Sequence, residues 1–154
     1  MVDSFKQDEL LEAIELFYFS YRSFTAGPDQ ILLEQGLGRV HHRILYFVGR
    51  NPHISINELL KILQVSKQAL NQPLRKLLEL ELVSSKMSDQ DRRIKQLDLS
   101  SKGRKLEAKL TRTQLQHLES AFAQSKPDSL SKWKELMLEI SLSGEREKDA
   151  TQPA

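Results

Sequence analysis

Residues 55–82 read SINELLKILQVSKQALNQPLRKLLELEL, and this stretch decides the fold. Ser55 and Glu58 have the spacing of a capping box: the Ser55 hydroxyl can serve the amide of residue 58, and Glu58 can reach back to the amide of Ser55. Ile56, Leu59, Leu60 and Leu63 follow at helical spacing. Gln64-Val65 breaks the pattern, and Ser66 is placed to cap a second helix. That helix carries Leu70, Leu74 and Leu77 on one face, while Lys67, Gln68, Asn71, Gln72 and Arg75 point elsewhere. A helix, a tight turn and a second helix with an amide-rich outer face is the arrangement that lays the second helix in a DNA major groove. Pro73 sits inside that second helix. It removes one hydrogen bond and should clash with the carbonyl of Ala69, which predicts a kink.

Working outward, residues 83–87 and 95–99 alternate as two strands: Val83, Ser85 and Met87 against Ser84 and Lys86, then Leu97 and Leu99 against Gln96 and Asp98. Their connection holds Asp89-Gln90-Asp91-Arg92-Arg93, with no Asn-Gly or Asp-Gly, so a longer and flexible hairpin tip is expected. Ser100 then caps a long helix to about residue 124, marked by Leu106, Leu110, Leu115, Leu118 and Phe122. Pro127-Asp128 opens a last helix with Leu130, Trp133, Met137 and Ile140. Residues 143–154 are polar and are expected to be disordered. Upstream, residues 3–25 read as one amphipathic helix on Leu10, Ile14, Phe17, Tyr21 and Phe24. Gly27-Pro28 should end it, leaving Ile31-Leu32-Leu33 in a short connection. A helix over residues 38–50 follows, with Val40, Ile44, Leu45 and Val48 as its core face and Asn51-Pro52 as its stop.

A chain of 154 residues is most simply one domain with a real core. It has no cysteine, which excludes disulfides, thiolate zinc sites and cysteine-based peroxide sensing. No apolar run approaches the length of a membrane span, and the N-terminus lacks a basic-then-apolar signal, so a soluble, cytoplasmic protein is expected. The net charge of +2 hides an uneven distribution. Residues 1–35 hold two basic and seven acidic side chains, whereas residues 66–112 hold twelve basic and six acidic. One face is thus prepared for a polyanion. Six of the ten aromatic residues lie between Phe5 and Phe24, and the last helix adds a Trp-Met-Ile stripe. Pairing the terminal helices of two copies would bury both surfaces, so a two-fold dimer is expected.

The order helix, helix, helix–turn–helix, charged hairpin, long helix, final helix resembles the MarR family of bacterial transcription regulators over about residues 5–142. The hairpin carries the most specific likeness. Asp91, Arg93, Leu97 and Leu99 match that family's wing signature, with Ser100 in place of its Thr, and Lys102-Gly103 matches the Lys-Gly that usually follows. The resemblance implies a mainly α fold with a small β-hairpin wing: a winged helix–turn–helix with long N- and C-terminal dimerisation helices. It divides the chain into an N-terminal dimerisation helix (1–36), a winged helix–turn–helix for DNA (37–100), C-terminal dimerisation helices (101–142) and a tail (143–154). The implied function is sequence-specific binding of double-stranded DNA as a homodimeric repressor on a pseudo-palindromic operator.

In such a regulator Arg93 would reach the backbone or minor groove, Asp91 would fix the wing by holding Arg93 or a neighbouring amide, and Arg92 would touch phosphate. Around the second helix, which begins at Ser66, Gln68, Asn71 and Gln72 suit base edges, since Asn and Gln can bond adenine bidentately. Lys67, Arg75 and Lys76 suit phosphates. Gln64 and Glu81 stand where the family often has glycine, so both turns must close without a permissive residue or with strain.

Many relatives release DNA when a small aromatic or anionic effector binds. Candidates for that pocket are Tyr18, Tyr21, Arg22, His41, His42 and Tyr46. No metal is expected: adjacent His41 and His42 point about 100° apart on a helix, and neither has a carboxylate three or four residues on. No cofactor and no enzymatic activity are expected either, for the chain has no Gly-rich phosphate loop, nucleophile elbow or carboxylate pair at catalytic spacing. The alternative reading is a winged-helix adaptor for protein interactions that does not bind DNA.

Overall fold

The computed structural model describes residues 6–151, with side chains through residue 147. Helix α1 runs Gln7–Leu33, α2 Arg39–Arg50, α3 Ile56–Leu63, α4 Lys67–Glu79, α5 Ser101–Ala123 and α6 Ser129–Thr151; strands β1, β2 and β3 are Ile54–Ser55, Val83–Met87 and Lys95–Leu99. The order is that of a winged helix with helical extensions at both ends, mainly α with a small sheet. The chain divides into two compact units, residues 1–114 and 115–154.

The first helix corrects the sequence reading at its C-terminal end; residues 3–5 of its expected start lie outside the described residues. Gly27-Pro28 does not stop it, and Ile31-Leu32-Leu33 belongs to α1 rather than to a connection. Proline in a helix interior costs roughly 3 kcal/mol. Here Thr25, Pro28 and Leu32 form a buried stripe at helical spacing. Burying a large aliphatic side chain returns about 1.5–3 kcal/mol, so a few such burials offset the proline. Gly27 serves close approach: a Cβ at this position would meet the Thr113 methyl of α5 at 2.8 Å. The helix ends instead at Leu33 and is closed by a Schellman-type turn through Gly36. The Leu37 amide donates to the Leu32 carbonyl at 2.9 Å and the Gly36 amide to the Leu33 carbonyl at 3.0 Å, with Gly36 at φ 67°.

In α2, Ile44, Leu45 and Val48 are buried as expected, but Val40 in the first turn stays exposed. The capping box of α3 is present: the Ser55 amide donates to Glu58 Oε2 at 2.8 Å and the Glu58 amide to Ser55 Oγ at 3.1 Å. Ser66 caps α4 by accepting from the Ala69 amide at 3.1 Å. Leu70, Leu74 and Leu77 face the core, and α4 remains one helix through Pro73. Gln64 and Glu81 take up the left-handed region at φ 52° and 56°. Glu81 occupies the place in the turn after α4 that Gly36 occupies after α1: the Leu82 amide donates to the Leu77 carbonyl and the Glu81 amide to that of Leu78, each at 3.0 Å. A non-glycine residue there costs on the order of 1–2 kcal/mol, which the buried Leu77, Leu82 and Val83 around the turn outweigh.

Both hairpin strands have the expected bounds. The sheet has a third strand that alternation did not reveal: β1 pairs antiparallel with β3, Ile54 opposite Leu97 and Ser55 opposite Gln96. Two residues are too few to show a period of two. The strand order is β1-β3-β2, with Val83 opposite Leu99 and Met87 opposite Lys95 across the wing. Ser100 begins α5 by accepting from the Gly103 amide at 2.9 Å. Leu106 and Leu110 of α5 complete the core that Leu37, Leu45, Leu59, Leu77 and Leu97 centre on.

In the second unit, the end of α5 and α6 meet through Phe122 and Trp133, edge to face at 5.9 Å between ring centres. The polar segment from residue 143, expected to be disordered, is helical as far as Thr151; residues 152–154 lie outside the described residues. Glu, Arg and Lys are good helix formers, and Arg146 pairs with Glu139 at 3.4 Å. Polarity marked this segment as solvated, not as unfolded.

Candidate nucleic-acid interface

Two pieces of the first unit present polar groups outward from rigid supports. The first is α4. With Leu70, Leu74 and Leu77 committed to the core, helical geometry sends Gln68, Asn71, Gln72 and Arg75 to the opposite side, and all four are exposed, as are Ser66 and Lys67. The Ser66 oxygen is already used by its cap. Lys76 differs from its neighbours: it is half-buried, and its ammonium donates to the carbonyl of Gly36.

The second piece is the wing tip. The Ser88 amide donates to the Ile94 carbonyl at 2.8 Å, and the Ile94 amide to the Asp91 carbonyl at 3.0 Å, so the loop is closed by its own backbone. Asp91 accepts from the Arg93 amide at 3.0 Å, from Arg93 Nε at 3.1 Å and from Arg93 Nη2 at 3.0 Å. Those side-chain and backbone hydrogen bonds lower the Asp91 pKa, and the same carboxylate raises that of Arg93. The guanidinium carries five N–H donors, and Asp91 occupies only part of the fork while holding it in place. Arg93 stays 90% exposed with Arg92 beside it, so the tip offers cations to solvent with one of them oriented in advance. At the root of the wing, Asp98 accepts from the His53 amide at 2.9 Å and meets His53 Nδ1 at 2.9 Å. His53 is left-handed at φ 62°. Nothing in the local sequence marks this pair, which lies 45 residues apart in the chain.

The aromatic and histidine residues of α1 and α2 have separate neighbours. Arg22 lies over the Tyr18 ring at 5.8 Å. Tyr21 accepts from Arg43 at 3.2 Å and has Arg39 over its ring at 5.2 Å, while Arg39 pairs with Asp29 at 2.8 Å. Tyr46 packs edge-on against Phe47. His41 Nδ1 accepts from the Gly38 amide at 3.0 Å, serving the start of α2. Burial and then the charge of Lys76 lower its pKa. His42 is lowered chiefly by burial, against the opposing pull of Glu107 and Asp29. Two concave surfaces lie elsewhere, one on α5 around Gln116, His117, Ser120 and Gln124, the other on α6 around Trp133, Met137 and Leu138. Neither includes Tyr18, Tyr21, Arg22, His41, His42 or Tyr46. Among the described residues, no group of three or more His, Asp or Glu is placed to hold a metal ion, and no helix is long and apolar enough to cross a membrane.

Comparison with known proteins points the same way as the geometry. The sequence model of the MarR family matches residues 35–94. The chain is 35% identical over 130 residues to the HTH-type transcriptional regulator PetP of Rhodobacter capsulatus, spanning 84% of this chain and 78% of that protein. In fold it is similar to a MarR protein from Peptoclostridium difficile, with a TM-score of 0.74, 19% identity and coverage of 99% and 97% of the two chains. It is similar also to a MepR mutant of S. aureus bound to an oligodeoxyribonucleotide, with a TM-score of 0.60, 20% identity and coverage of 85% and 96%.

Proposed function

The chain belongs to the MarR family of transcription regulators, and we propose that it acts in the cytoplasm as a homodimeric repressor on pseudo-palindromic duplex DNA. The observation that carries this reading is the exposed amide face of α4 on a buried leucine stripe, accompanied by a wing tip whose Arg93 is held by Asp91. Gln68, Asn71 and Gln72 read base edges. Ser66, Lys67, Arg75 and Arg92 hold the backbone, and Arg93 enters the flanking minor groove. Residues 37–100 form the DNA-binding part.

The two ends of the chain, residues 1–36 and 101–142, form the dimer. Leu10, Ile14 and Phe17 of α1 and Trp133, Leu136 and Ile140 of α6 are large apolar side chains left 44–66% exposed, more than a solitary surface tolerates. Two-fold symmetry then sets the α4 helices about 34 Å apart, one turn of DNA. A small aromatic or anionic effector that releases the DNA would be served by Arg22 stacked on Tyr18, with Tyr21, His41, His42 and Tyr46 on the same two helices.

Selection of bound duplexes from a random pool tests the reading. Enriched palindromes support it; no enrichment at any salt concentration favours a winged-helix adaptor for proteins. With a selected site in hand, Arg93→Ala should weaken binding to all sequences and lower the salt dependence, whereas Asn71→Ala should relax preference at one position of each half-site. Equal binding of Arg93→Ala and wild type across a salt titration would remove the wing from the interface.

A further inference from the structure

Lys76 sits in the last turn of α4, the helix assigned above to base reading. Unlike Lys67 and Arg75 it is half-buried. Its ammonium donates to the carbonyl of Gly36, the left-handed residue of the Schellman turn that ends α1. The carboxyl end of a helix carries partial negative charge from its unpaired carbonyls, so a cation is well placed there. Two residues on, the Gly38 amide donates to His41 Nδ1 at 3.0 Å; burial and then the charge of Lys76 lower the His41 pKa. The corner between α1 and α2 therefore has a main-chain acceptor answered from α4 and a main-chain donor answered from α2. No other side-chain hydrogen bond joins α4 to this corner among the described residues.

We propose that Lys76 is a positioning residue. It ties the recognition helix to the end of α1 and so sets how α4 is presented, instead of binding phosphate. The inference rests on the reading of α4 as the DNA-reading helix and α1 as a dimer helix. If both hold, the tie transmits the dimer geometry to the spacing of the two α4 helices.

The test uses the full chain and Lys76→Met, which keeps the aliphatic stem and removes the donor. Lys67→Met serves as a comparison at an exposed cation of the same helix. A tie predicts that Lys76→Met weakens binding to a selected duplex by about tenfold, leaves the salt slope unchanged, and broadens the half-site spacings that are accepted. In the free protein it should also speed amide hydrogen exchange at residues 36–38. Lys67→Met should instead lower the slope by about one and leave the spacing alone. A Lys76→Met protein with a slope lowered by about one, wild-type spacing preference and unchanged exchange would overturn the proposal, as would one that behaves as wild type in every respect.

Should Lys76→Met fail to fold, Lys76→Gln retains a donor without the charge. The tie then requires wild-type spacing and corner protection, and a phosphate contact requires the lowered slope. If the wild type binds no duplex, the DNA reading fails, while hydrogen exchange in the free protein still decides whether Lys76 holds the corner.

Discussion

Leu70, Leu74 and Leu77 in α4 have the same spacing as Leu10, Ile14 and Phe17 in α1, yet the first three are 2%, 6% and 0% exposed and the second three 51%, 66% and 55%. One pattern gives a core face in one helix and an open face in the other. The α4 stripe meets α2 and β2 within the same unit, because the turns on either side of α4 bring the chain back on itself. The N-terminal half of α1 extends beyond that core, and its stripe is left without a cover. Helical periodicity reports that a face is apolar. It does not report whether this chain or a second copy covers it.

The largest effect that sharpens this contrast is expected at Leu77. Leu77→Ala removes a fully buried side chain and should cost about 2–5 kcal/mol in urea-induced unfolding. A loss below about 1 kcal/mol would remove the α4 stripe from the core. Phe17→Ser should behave in the opposite way. Unfolding of the dilute protein should change by no more than about 0.5 kcal/mol, while sedimentation equilibrium should show self-association weakened by about tenfold or more. A large loss of stability at dilution, with association intact, would place Phe17 in a core of its own chain.

The smallest effect concerns acid. Burial lowers the pKa of His42 and of His41 relative to the ordinary value, so the unfolded chain takes up the proton first. Their contribution to stability is full above about pH 6.5 and falls away as the pH drops toward the folded pKa. The melting temperature should therefore decrease from pH 7.5 to 5.5, and His42→Gln should flatten that decrease. An unchanged or steeper acid slope in the variant would assign the sensitivity to other groups.

Much of the site was legible because its signals are local. A Ser with a Glu three residues on, a Ser before a second apolar stripe, and Asp91 two residues before Arg93 are interactions within one turn of chain. Their spacing alone specifies them. Terminators were less legible, for the opposite reason. Gly27-Pro28 has the composition of a stop, but a buried stripe through Pro28 and the close approach of Gly27 to α5 keep the helix going. The polar segment after residue 143 has the composition of a tail and the propensity of a helix.

By itself, the sequence determined the capped starts of α3, α4 and α5, the wing strands, the leucine face of α4 and the family, because these depend on short-range hydrogen bonds and on the periods of helix and strand. Only the tertiary structure decided which groups far apart in sequence would meet: β1 beside β3, His53 on Asp98, and Lys76 on Gly36. A lysine on a recognition helix reads as a phosphate ligand from its charge and position. Where its ammonium goes depends on which carbonyl the fold brings within reach, and that is a property of the folded chain.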